Sequence, residues 1–140
     1  MTAIALTAVQ VNRVEPTRDR VGSGLLAETV TVGQVLYLNS SGLWALGDGS
    51  ATGTAQARAM ALEGGGAGQA ISLLFNGLVG GFTLSGMAYD ARAYLSDTAG
   101  GLDTANGTVN VVLARVTAMT DSSKTKVLHF FGADPNLQYT

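Results

Sequence analysis

The chain has 140 residues, a formal net charge of −2, 46% hydrophobic and 13% charged residues, 19 glycines, two prolines and no cysteine. A domain of this length buries roughly two-thirds of its unfolded surface, and this balance of hydrophobicity and charge is the opposite of a disordered chain's. Cysteine-dependent disulfides, metal sites and nucleophiles are excluded, and 8 basic residues against 10 acids give no bulk positive charge to attract nucleic acid.

Charged residues are about half as frequent as in typical soluble domains, and glycine is nearly twice as frequent. That composition points to short strands joined by tight turns, with part of the surface expected to lie under a partner. The start, MTAIALTAVQVNRVEP, lacks the basic region of an export signal, and no run reaches the ~18 apolar residues of a membrane span, so no membrane partner is expected.

Residues 2–14 alternate in hydrophobicity and change phase near Ala8 and Val9, which predicts an extended N-terminal arm with a bulge. EPTRDR, residues 15–20, reads as an exposed linker, so residues 1–20 form arm and linker and 21–140 a single β domain. TVTVGQVLYL, residues 29–38, predicts a strand with a turn or bulge at Gly33. NSSG follows as turn chemistry, and a short strand returns at 43–45. Residues 55–62, AQARAMAL, have helix-forming side chains but also alternate, and are read as strand because of a repeat described below. After the glycine-rich turn EGGGAGQ, a strand is predicted at 70–75. Asn76–Gly77 has the signature of a tight type I′ hairpin, with a return strand at 78–84. Strands at 94–95, 109–119 and 126–131 and a loop-like tail complete the reading.

The repeat is faint. Tyr37-LNSSG-Leu43 is echoed by Tyr94-LSDTAGG-Leu102, and residues 57–77 align with 112–132, so that Ala59 meets Ala114 and Phe75 meets Phe130. The repeat spans about 33–77 and 90–132. Eight to ten short strands at regular spacing predict an all-β fold, a small antiparallel β-sandwich or barrel with an extended N-terminal arm.

Catalytic signatures are lacking. His129 is the sole histidine, the serines lie in turn sequences, and the acids sit beside Gly, Ser or Thr as turn residues do. Asp97 and Asp103 flank one loop without the spacing of a calcium loop. EGGGAGQ lacks the Gly-Lys-Ser/Thr of a phosphate-binding loop. No catalytic residue, metal or cofactor is expected. Two groups of residues stand as interface candidates. Arg13, Arg18 and Arg20 fall within eight positions, either as bidentate partners for carboxylates on another protein or as a solvated linker. Tyr37, Trp44, Tyr89 and Tyr94 flank turns and suit a core, an interface or a sugar-stacking platform.

The runs VGQVLYLNSSGLWALG, ARAMALEGGGAGQAISLLFNGLVGGF, YLSDTAGGL and VVLARVTA resemble small β-rich capsid decoration (cement) proteins of tailed bacteriophages. Gly33, Tyr37 and Leu38, residues 77–79, and residues 94–102 carry the resemblance, which covers about 29–118. It implies a non-enzymatic virion protein, made in the host bacterial cytoplasm and placed on the capsid surface. Its expected partners are the major capsid protein and further copies of itself, as a trimer or dimer. The arm would then augment a neighbouring sheet, and deleting residues 1–14 would weaken capsid binding or oligomer formation while leaving the β domain folded. The alternative is a fibre, tail or head-binding module attached to another virion protein or a host glycan.

Overall fold

The fold was analysed in a computed structural model that describes residues 3–14, 19–119 and 121–140. The described residues contain ten strands and no α-helix: β1 (Asn12–Arg13), β2 (Arg20–Leu25), β3 (Val35–Leu38), β4 (Trp44–Leu46), β5 (Ala59–Ala61), β6 (Ala70–Gly80), β7 (Arg92–Leu95), β8 (Leu102–Asp103), β9 (Val112–Ala118) and β10 (Lys126–Phe130). All pairings between them are antiparallel, and the sheet curls into a half-barrel. The all-β class expected from composition and spacing is the class observed.

The strand order is β4-β3-β5-β6-β10-β9-β7-β8, with β1 and β2 also paired to β6. This order reads the same from both ends when β3–β6 is matched to β7–β10, and the pairing registers follow the same match. Leu36 lies opposite Ala59 in the first unit, and Ala93 lies opposite Ala114 in the second. Ala61 faces Leu73, and Val116 faces Leu128; Leu38 faces Trp44, and Leu95 faces Leu102. The two units differ in which side is buried. Val35, Met60 and Leu74 enter the main core, whereas their equivalents Arg92, Arg115 and His129 are exposed or half-buried. Conversely Leu36, Ala59 and Leu73 form a smaller second core, whereas Ala93, Ala114 and Leu128 enter the main one.

β6 is the spine. Leu73 is flanked by Gly22 of β2 and Ala61 of β5, and Val79 by Arg13 of β1 and Leu128 of β10. The expected hairpin at Asn76–Gly77 is therefore not formed, and the separate return strand at 78–84 is not a strand of its own. The chain runs straight through, because β2 and β10 pair with β6 at Asn76 and Gly77 and hold it extended. A β-carbon at Gly77 would overlap the Asp19 carboxylate, so close packing accounts for this glycine. Gly81, at φ 92°, ends the strand, and a β-carbon there would lie 2.6 Å from Val11 N in the N-terminal segment.

Residues 29–38 also divide. Val30 bridges Gly65, the chain turns through Gly33 at φ 87°, and strand begins only at Val35. β2 was not expected from the sequence. Its alternation of Val21, Ser23 and Leu25 with Gly22 and Gly24 puts the glycines beneath aromatic rings. A β-carbon on Gly22 would lie 2.8 Å from the Phe75 ring, and one on Gly24 would overlap the Trp44 indole. Alternation over 59–61 prevails against helix propensity, since β5 is flanked by β3 and β6 and is buried throughout.

The N-terminal segment is extended but lies along its own domain. Ile4 N–H donates to Leu102 O (3.0 Å), Thr7 N–H to Gly81 O (2.8 Å) and Val14 N–H to Leu78 O (2.9 Å), while Ala5 O accepts from Thr83 N–H (2.8 Å). The ends of the curled sheet are tied by Gly100 N–H to Gly47 O (2.7 Å) and Gly49 N–H to Ser96 O (2.9 Å). The accessible surface of 6878 Å² is close to the about 6800 Å² that size alone predicts for a monomer, so the chain encloses a core of its own despite its few charges.

Candidate functional site

The described residues hold no cluster of three His, Cys, Asp or Glu side chains suited to a metal. The dispersed acids serve turns. Asp97 accepts from Thr108, Asp103 from Thr104 and Ala105, Asp48 from Ser50, and Asp121 from Ser123. His129 sits 3.2 Å from Asn76 Oδ1 through Nε2 and meets Phe131 edge-on at 5.7 Å, packing that needs no chemistry.

The surface around β2 is built differently. The strand pairs with β6 along one edge; among the described residues no strand is registered along its other edge, which meets β4 at its end through the Leu26–Trp44 bridge. Val21 and Leu25 project outward with 42% and 49% exposure. On the opposite face of β2, Trp44 and Phe75 cover Gly22 and Gly24, with ring centroids 6.0 Å apart and tilted by 58°. The Arg20 guanidinium lies 5.2 Å from the Phe75 centroid, a cation–π contact. Beside these rings runs a groove of about 500 Å³, lined by Arg20, Trp44, Arg58, Phe75, Asn76 and Phe131 among others.

Arg58 lines the groove and also holds the C-terminal segment. Its Nη1 donates to Ala133 O and Asp134 O, each at 3.0 Å. Gln56 pairs with the Tyr139 backbone in both directions, at 2.8 and 3.0 Å. The tail is thus a docked segment whose Tyr139 packs on the main core. Arg58→Ala is expected to cost about 1–2 kcal/mol and to speed proteolytic cleavage beyond residue 133, which limited proteolysis followed by mass spectrometry would measure. Cleavage at the wild-type rate would assign tail retention to Gln56 and Tyr139 alone.

Of the interface candidates read from the sequence, Arg20 and Trp44 meet in this groove. Arg13 points elsewhere: its Nε is 3.7 Å from Asp19 Oδ2, and the Asp19 side chain is only 1% exposed. Arg18 lies outside the described residues. Tyr37 and Tyr94 occupy equivalent positions in the two units, opposite Ala45 and Asp103, and are both half-buried. Phe75 and Arg58 were not singled out in the sequence. The signal available for Phe75 was its alignment with Phe130, which marks a shared structural position without revealing that only one of the pair reaches the surface. The fold and this surface define a small all-β module with an open edge along β2. Comparison with protein-family models, curated proteins and solved structures gives no match.

Proposed function

We propose that this is a non-enzymatic virion structural protein of the capsid decoration type, which attaches to the outer capsid surface through the β2 edge and the adjoining groove. The observation that carries the proposal is the open β2 edge. An unpaired edge with exposed apolar side chains, and neither lysine nor proline to guard it, offers main-chain hydrogen bonds to an incoming strand. The edges of β8 and β4 are met by other parts of the chain. Ala3 bridges Asp103 of β8, and Ala27 N–H bonds Trp44 O of β4. A strand from the major capsid protein fits the β2 edge, with Arg20 beside it to pair with a carboxylate. Many copies of a modest contact over a shell add by avidity, and copies of this chain would assemble as a dimer or trimer at the sites where capsid subunits meet.

The test is co-sedimentation of purified protein with heads of the parent phage that lack it. Wild-type protein should bind, and the double variant Val21→Lys, Leu25→Lys should bind at least about tenfold more weakly with an unchanged circular dichroism spectrum. Failure of the wild type to bind would remove the decoration role, whereas equal binding by the variant would move the contact away from β2. The Trp44–Phe75 wall gives one reason to keep a fibre or receptor-binding role as a second reading. Saccharide binding on a glycan array, lost in Trp44→Ala, would favour it.

A further inference from the structure

We propose that the outer face of the second unit carries an anion site, centred on Arg92 and Arg115, that takes a carboxylate or phosphate group. The two arginines lie directly opposite each other on β7 and β9. Like charges in facing positions of an antiparallel pair repel, so the arrangement weakens the sheet unless something neutralises it. The equivalent pair in the first unit is Val35 and Met60, both buried, so the register itself does not call for arginine.

The protein supplies only part of the neutralisation. Asp90, held at φ 67°, presents its carbonyl to Arg115 Nη1 at 2.8 Å, and its carboxylate Oδ1 lies 3.4 Å from the same nitrogen. That carboxylate is 84% exposed and answers one of two positive charges. Arg92 has neither an ion pair nor a side-chain hydrogen bond among the described residues, and the Tyr94 hydroxyl makes no hydrogen bond among them. Arg92, Tyr94 and Arg115 border a cavity of about 800 Å³ that Ile4, Met87 and Ala91 also line, together with the polar residues Asp90, Thr83 and Thr104.

Two arginines and a tyrosine together with aliphatic residues in one lining suit an anionic head on a small apolar body. A guanidinium engages carboxylate or phosphate through two parallel hydrogen bonds, and a cavity wall of low polarity strengthens each of them. His129 follows Arg115 in the same cross-strand row, but its Nε2 is directed to Asn76 and leaves the anion to the arginines. The site is separate from the β2 edge and stands independently of the attachment role.

Isothermal titration of the full chain with inorganic phosphate, and separately with succinate, tests it against sodium chloride at matched ionic strength. Saturable binding of phosphate alone would identify a phosphate site, and binding of succinate alone a carboxylate site such as a ligand acid or a partner's acidic side chain. Arg92→Gln should weaken that binding by about ten- to a hundredfold, while Arg13→Gln should leave it unchanged. Arg115→Gln should weaken it as well. Because Arg115 also ties down Asp90, the exposed Arg92→Gln is the decisive variant. No heat above the chloride control from either probe, or equal binding by wild type and Arg92→Gln, would overturn the proposal.

Discussion

Ile4→Ala is expected to lower the unfolding free energy by about 2–4 kcal/mol, an effect on the scale of a central core truncation. The residue stands only four positions into the sequence, yet it is 8% exposed and belongs to the main core with Leu102, Leu84 and Met87. The hydrogen bonds on either side, from Ile4 N–H to Leu102 O and from Thr83 N–H to Ala5 O, fix the segment so that the side chain cannot swing out. Urea denaturation would show the midpoint falling with an unchanged slope. A change below about 0.5 kcal/mol, the range of ordinary surface substitutions, would mean that the segment does not pack on the domain. On this packing, deletion of residues 1–14 is expected to destabilise the domain rather than leave it intact. Under the proposed attachment role, the strand edge offered to a partner is then β2 rather than the arm, where Ile4, Ala5, Thr7 and Val14 bond to their own domain.

Phe130→Ala should cost about 3–5 kcal/mol. The ring is fully buried at the junction of the two units, in a strand that pairs with Ala114 on one side and Gly77 on the other. Phe75 holds the equivalent place in the first unit but is half-buried under Arg20 and beside Trp44. Phe75→Ala should therefore cost only about 1–2 kcal/mol, since less apolar area leaves water there. Measuring both variants tests the inversion of buried faces directly. Equal losses would mean that the two units bury the same side.

Local patterns made much of the fold legible. Alternation in AQARAMAL outweighed helix propensity because β-pairing on both sides decides the conformation of Ala59–Ala61. The offset between Ala59 and Ala114 anticipated strands that keep identical register in the two units. β2 stayed hidden because VGSG has poor strand propensity. Its glycines answer to rings on Trp44 and Phe75, which lie 20 positions from Gly24 and 53 from Gly22 in sequence. Asn76–Gly77 misled for a related reason: the dipeptide permits a turn, but partners on both edges of β6 hold it straight. At the β2 surface, Arg20 and Trp44 were legible by residue type, whereas their meeting depends on the pairing of β2 with β6. The approach of Arg92 to Arg115 depends in the same way on the β7–β9 register.

The continuous spine has a kinetic consequence. Pairs such as β3 with β4 and β7 with β8 join nearby residues, and each closes a short loop. Joining β6 to β10 brings Val79 to Leu128, so a chain segment of about 50 residues must close before the main core is sealed. Refolding is therefore expected on the millisecond-to-second scale of non-local β topologies. In that process each half can acquire its local hairpins alone, and the long-range pairings of β6 with β10 and with β2 are expected to limit the rate.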